Sequence, residues 1–302
     1  MTQHFSYESI LKASQAANWK IEDILDGKSL DFSRPFLPEA LARTNGLAML
    51  SPKERLILNQ IRGCGYLYTF GLVEEFILPF VVDHARPALH GDDNRTRALL
   101  QFAGEEAKHI HLFKRFYQTF IEGFGTPCGM IGPADQVSAA ILAHDPLGIG
   151  MVTLHIEWMT QKHYTESVRD DHDMDPLFKS LLSNHWAEEM QHAMLDTMIV
   201  EELAAAGGPD GVERGFADFM KIATMLDGAL MQQVELDLAS MEAATGRILS
   251  AEDKEAVRRV QQQAIRYTYL GSGLTHPQFL AIMDRIRPGS RAELSGLAPA
   301  FS

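Results

Sequence analysis

Glu106-Ala107-Lys108-His109 and Glu189-Met190-Gln191-His192 repeat one pattern, Glu-x-x-His, at an offset of 83 residues (189 − 106). Each is preceded by a further glutamate, Glu105 or Glu188, and 32 residues before each motif lies Glu74 or Glu157, again 83 apart. Residues three apart share a helical face, so Glu106 with His109, and Glu189 with His192, can converge on one point. One Glu-x-x-His is a weak signal. A carboxylate on one helix followed by Glu-x-x-His on the next, given twice, is the ligand set of a two-metal site inside a four-helix bundle.

The surrounding pattern is helical almost throughout. Ser51-Pro52-Lys53-Glu54 reads as a capping box with proline at the first helical position, opening a helix to about Ala85 with a kink expected at Pro79. Further helices are expected from about Arg95 to Glu122, Ala134 to Ala143, Pro146 to Arg169, and Pro176 to Gly207-Gly208. Others follow from about Val212 to Thr245, from Ser250 to Leu270, and from Pro277 to Ile286. No segment alternates like a strand. The expectation is one all-α domain over 1–302, with a metal-binding bundle at 51–207, flanking helices at 208–302, and residues before Ser51 packed around the bundle.

Four glutamates facing one interior would each cost several kcal/mol if charged and unpaired. Two divalent cations offset four negative charges, and oxygen-plus-imidazole ligation suits iron or manganese. Glu74 keeps the 83-residue offset to Glu157 and shares a stripe with Leu67, Phe70, Leu78 and Val81; the adjacent Glu75 is the alternative ligand. Glu105 and Glu188 are read either as acceptors for the outer N–H of a ligand imidazole or as ordinary helix-surface charges.

His185 breaks the symmetry. It lies four residues before Glu189 and seven before His192, on the same helical face, whereas the position 83 residues earlier is Phe102. The set Glu74, Glu106, His109, Glu157, His185, Glu189 and His192, in helix order over about 51–207, resembles the p-aminobenzoate N-oxygenase family of diiron oxygenases. In that family a third histidine joins the usual bundle ligands. The resemblance implies a ferritin-like four-helix bundle with additional N- and C-terminal helices, two iron ions (or an Mn/Fe pair), and O2 as co-substrate. It also implies oxygenation of an amine nitrogen, an electron donor, and a homodimer.

Other chemistry-bearing residues have plainer readings. His155 should face away from Glu157, and His111 and His163 read as structural. Tyr164 reads as packing before cavity lining, Trp158 as core filler, Cys64 as a buried thiol, and Asp196 as a helix charge before a hydrogen-bonding partner of the site. Cys64 and Cys128 make neither a disulfide framework nor a thiolate metal site.

The net charge of −13 argues against nucleic acid and anionic membranes as partners. The apolar stretch from Tyr66 to Val82 is interrupted by Glu74 and Glu75, and Met1-Thr2-Gln3-His4 shows no basic leader, so a cytoplasmic protein is expected. Taken together, these features indicate a non-haem diiron oxygenase acting on a small organic substrate, with C-hydroxylation as the close alternative. An iron-binding ferroxidase or storage protein is the rival reading, but 95 residues follow Gly207 (302 − 207), more than a storage bundle needs. A metal-free interaction bundle is disfavoured by the clustered carboxylates.

Overall fold

A computed structural model describes residues 6–301; Met1 to His4, where the sequence shows no basic leader, lie outside them. The fold is all-α, a four-helix bundle with added helices at both ends, and no strand occurs among the described residues. In chain order the helices are α1 (Tyr7–Ala17), α2 (Ile21–Leu25), α3 (Glu39–Ala42), α4 (Pro52–Ala88), α5 (Asp93–Phe124) and α6 (Ala134–Leu142). They continue as α7 (Pro146–His163), α8 (Pro176–Thr245), α9 (Ala251–Arg266), α10 (Ser272–Leu274), α11 (Pro277–Ile286) and α12 (Ser290–Leu297).

Local chemistry sets the boundaries. Ser51 Oγ accepts from Glu54 N at 3.3 Å and Glu54 Oε2 accepts from Ser51 N at 2.7 Å, a complete capping box at the start of α4. Aspartates cap α5, α7 and α8 through Asp92, Asp145 and Asp175. Gly125 and Gly246 end α5 and α8 in the left-handed conformation. The helix of α4 continues through Pro79. A five-residue π-turn, Tyr164–Val168, follows α7 directly.

Two expected helices, ending at Gly207-Gly208 and starting near Val212, join as α8. The join is not smooth: Gly208 has φ 61° and ψ −171°, and Pro209 follows. Only glycine adopts that backbone cheaply, so the axis changes direction there. The bundle consists of the hairpin α4–α5 packed beside α7 and the 176–207 portion of α8, while the 209–245 portion runs along the outside with α9 against it.

Helix α7 is apolar on nearly every side and buried along nearly its whole length, apart from Pro146, Trp158 and Lys162. At Gly148 it meets the outer portion of α8 so closely that a Cβ would sit 2.8 Å from Gly215 O. Helix α4 alone among the described helices is long and apolar enough to cross a membrane, with mean hydropathy 1.3 over its best window. That window is 67% buried inside the protein.

A polar link crosses the apolar core beside the bundle. His163 contacts Tyr66 OH through Nδ1 at 2.8 Å and Ser272 Oγ through Nε2 at 2.9 Å, joining α7 to α4 and α10. Burial pushes its pKa down to about 3, and nearby Lys162 and His155 push the same way. The unfolded chain therefore gains this proton near pH 6.5, before the folded one does, and stability falls as pH drops from there toward 3. The slope from this group approaches ~1.4 kcal/mol per pH unit. Replacing His163 by glutamine, which keeps two hydrogen-bonding ends, should flatten the fall in melting temperature between pH 6 and 4. An unchanged slope would contradict it.

Candidate metal centre

Four bundle helices bring the seven expected ligands together. Glu74 comes from α4, Glu106 and His109 from α5, Glu157 from α7, and His185, Glu189 and His192 from α8. None is more than 3% exposed. Their donor atoms form two overlapping groups, Glu74–His109–His185–Glu189 and Glu106–His109–Glu189–His192, each within 4.8 Å.

Glu189 sits between the groups. Its Oε1 lies 2.7 Å from His185 Nε2 and 3.1 Å from His109 Nδ1, while its Oε2 lies 3.0 Å from His192 Nδ1. On one side Glu74 Oε1 is 3.1 Å from His185 Nε2; on the other Glu106 Oε1 is 2.9 Å from His192 Nδ1. A carboxylate with its two oxygens turned to two donor sets is placed to bridge two cations. Glu157 is buried against Glu189 but belongs to neither four-residue group. Glu75 stays outside: its carboxylate pairs with Lys114 at 2.8 Å near the surface.

Behind the imidazoles lies a crossed pair of supports. His109 Nε2 of α5 meets Glu188 Oε2 of α8 at 2.7 Å, and His192 Nε2 of α8 meets Glu105 Oε2 of α5 at 2.9 Å. Glu105 also accepts from Ser14 Oγ at 2.5 Å and Gln101 Nε2 at 3.0 Å, while Glu188 accepts from Lys108. Neither glutamate is a surface charge, at 2% and 0% exposure. The outer bonds leave Nδ1 of both rings facing the cluster and fix their orientation. Trp19 stacks on His109 at 5.7 Å, Phe102 stacks on His192 at 4.0 Å, and Phe70 and Phe113 present edges to His185 at 5.4 and 5.1 Å. Glu105→Ala or Glu188→Ala should weaken metal affinity by ~10–100-fold, measured by competition with a chelating dye. Unaltered affinity in both would deny them this role.

The chemistry of the donor set fits a pair of cations. Glu74 Oε2, both oxygens of Glu106, His109 Nδ1, Glu157 Oε2 and Glu189 Oε1 are buried without a hydrogen bond of good angle, although ring nitrogens stand as close as 2.7 Å to Glu189 Oε1 and 2.9 Å to Glu106 Oε1. Orphaned buried polar atoms are uncommon, and so many converging on one point call for an ion. Protonation shows the same tension. Burial, then neighbouring carboxylates, push Glu74 and Glu157 well above the usual range. Burial would raise Glu189 as well, but the His185 and His192 rings hold it well below. Burial opposes a charge on His109, yet Glu188, Glu189 and Glu106 lift it to about 9. The metal-free cluster thus balances its charge with protons that divalent cations would displace.

Asp196 corrects the sequence reading of a helix charge. It is fully buried, both its oxygens lack a partner, and burial raises its pKa well above normal. It lies one turn beyond His192 on the face that carries His185 and Glu189, and that spacing was the available signal. The other sequence-weighed residues stay outside the cluster. His155 bonds Leu270 O at 3.1 Å, Tyr164 OH contacts Ser183 Oγ and its ring stacks on Trp186, Trp158 stacks on His276, and His111 is exposed. Cys64 and Cys128 are free, buried thiols.

No family model matches the chain, and no curated protein does. Several solved structures overlay on it. One is an R2-like ligand-binding oxidase point mutant with an anaerobically reconstituted Mn/Fe cofactor (14% identity, TM-score 0.45). A second mutant, aerobically reconstituted with Fe/Fe, gives 14% and 0.46, and a third, with Mn/Fe, gives 13% and 0.48. Each alignment covers 88% of this chain and 93% of the other. At such identities and scores the overlay carries no argument about what this chain does; the donor atoms do.

Proposed function

We propose that this chain is an O2-dependent non-haem oxygenase in which Glu74, Glu106, His109, Glu157, His185, Glu189 and His192 hold a pair of iron ions. The observation that carries the reading is the convergence of orphaned carboxylate and imidazole atoms from four helices in a dry interior. An iron pair bound there would supply the electron-transfer chemistry that reduces O2 and oxidises a substrate. Manganese in one position fits the same donors.

The protein's own groups have separate tasks. Glu189 turns one oxygen to each donor set, and Glu105 and Glu188 hold the imidazoles in register. Phe70, Phe102, Phe113 and Trp19 keep water off the rings. His185 adds a neutral donor to one side only, making the two positions inequivalent and leaving fewer coordination sites there. Insertion of one oxygen atom into a substrate consumes O2, two electrons and two protons and releases one water, so an external electron donor belongs to the reading. The finer reading is oxygenation of an amine nitrogen, with a homodimer in the cytoplasm as its setting.

The test has two stages. Ferrous salt added anaerobically should leave about two irons per chain after desalting; a chain that retains none would end the oxygenase reading. Loaded protein with a reductant, ¹⁸O2 and a panel of arylamines should then give products one labelled oxygen heavier. Label found only on carbon would replace N-oxygenation by hydroxylation.

A further inference from the structure

Two apolar chambers lie end to end beside the cluster. The inner one is walled by α4, α7, the outer portion of α8 and the π-turn after α9, through residues such as Thr69, Phe70, Val73, Ile156, Leu230 and Tyr269. The outer one is walled by Val152, Phe219, Ala223, Leu274, Leu297 and Phe301 and reaches the surface beside Thr224. His155, Leu226 and Leu270 line both, so the chambers meet there.

The Phe70 ring stands between the inner end and the donor cluster. The Phe70 ring that lines it also sets its edge against His185, with centroids 5.4 Å apart. Val73 and Ile156 are the residues immediately before Glu74 and Glu157.

The lining states what fits. No lysine or arginine lines either chamber, and the one charged residue, Asp227 at the outer end, is held by Arg266 through bonds of 2.6 and 2.8 Å. The polar groups inside are already engaged: His155 with Leu270 O, and Tyr269 OH with Tyr66 O at 3.3 Å. A charged guest would lose its hydration with nothing to replace it. The open space is about 110 Å³ outside and about 40 Å³ inside, against roughly 150 Å³ for an engineered apolar cavity that binds benzene, so one ring fits only by spanning both chambers.

We infer that these chambers are the substrate pocket and entry path of the oxygenase, and that they admit an uncharged molecule of about one aromatic ring while rejecting carboxylate- and ammonium-bearing analogues. This rests on the oxygenase reading above. Within that reading it selects neutral arylamines over aminobenzoates and over alkylammonium compounds. The walls contributed by α8 and the π-turn after α9 give the chain beyond Gly207 a specific task, because they close the side of the pocket that the bundle leaves open.

Three brominated probes that differ by at most about two non-hydrogen atoms test it: 4-bromoaniline, 4-bromobenzoate and 4-bromobenzylamine. Calorimetry on metal-free and iron-loaded protein should show the neutral probe binding at least tenfold tighter than either charged one. Its bromine should give an anomalous peak between Ile156 and Leu230 in soaked crystals. Ala229→Leu, which narrows the inner chamber, and Ala223→Leu, which narrows the outer one, should each weaken binding at least tenfold while melting near the parent temperature. If one variant does not fold, the other still reads the effect, and the bromine position needs neither.

Equal affinity for the charged probes, a bromine peak elsewhere, or undiminished binding in the folded variants would overturn the inference. Iron content is measured on the same preparations. Arene binding without retained iron would uphold the pocket and sink the oxygenase reading, whereas retained iron without arene binding would do the reverse.

Discussion

Glu189→Ala is expected to abolish retention of the metal pair, with affinity falling beyond the ~100-fold upper end seen when an outer support is removed. Glu189 is the one carboxylate whose two oxygens face different donor sets: Oε1 toward His185 and His109, Oε2 toward His192. Its loss removes a donor from both positions at once and takes from His109 and His192 one of the charges that hold their protons. Breaking a buried charge pair by deleting one partner costs on the order of 3–5 kcal/mol, so the metal-free variant should also melt earlier than the metal-free parent. Iron per chain by elemental analysis and melting by circular dichroism measure the two effects separately. Glu75→Ala is the matched comparison: its partner is Lys114 near the surface, and it should keep both ions. Two irons retained by Glu189→Ala would show that the donor set is assigned wrongly.

Loading the parent protein with ferrous or manganous salt should raise its melting temperature by more than ~10 °C, and a chelator should return it. An ion that binds only the folded chain contributes roughly 2.7 kcal/mol at a hundred times its Kd, and each kcal/mol is worth about 2–4 °C in a chain of a few hundred residues. The gain should grow with pH. His109, lifted to about 9, must lose its proton to offer Nδ1, and Glu74 and Glu157, held well above the usual carboxylate range, must lose theirs. Affinity should therefore climb from pH 6 to 9, with protons released as metal binds. A melting temperature indifferent to metal, or an affinity that falls over this range, would show that the buried acids are satisfied by other means.

Much of this arrangement was legible before any coordinates. Ser51, Asp92, Asp145, Asp175 and Ser250 mark helix starts by hydroxyl or carboxylate caps, and Gly125 and Gly246 mark ends, so four bundle helices could be placed within a few residues. The preference for Glu74 over Glu75 came from the 83-residue offset to Glu157 together with helical phase; Glu75 pairs with Lys114. Three things escaped for a physical reason each. Asp196 looked like a surface charge because spacing places a residue on a face without saying what covers it. The crossed bonds of Glu105 and Glu188 depend on how α5 and α8 pack, which no periodicity encodes. Helix α1, with its Ser6 cap and the Ser14 hydroxyl that reaches Glu105, buries only Ile10, Leu11 and Ser14, too few positions for an apolar stripe to show.

The crossed bonds have a consequence for how such a chain comes to exist. Glu105 reaching His192 while Glu188 reaches His109 is a reciprocal exchange, residue i to j′ and j to i′, which a twofold axis imposes on identical halves. Even the aromatic layer keeps the relation: Phe102 lies on His192, and its equivalent His185 lies beside His109, 4.6 Å between centroids. A single helical hairpin cannot orient its own imidazole, so neither half of the centre is complete until α5 and α8 have docked. Phe102 in one half against His185 in the other makes an otherwise symmetric centre lopsided.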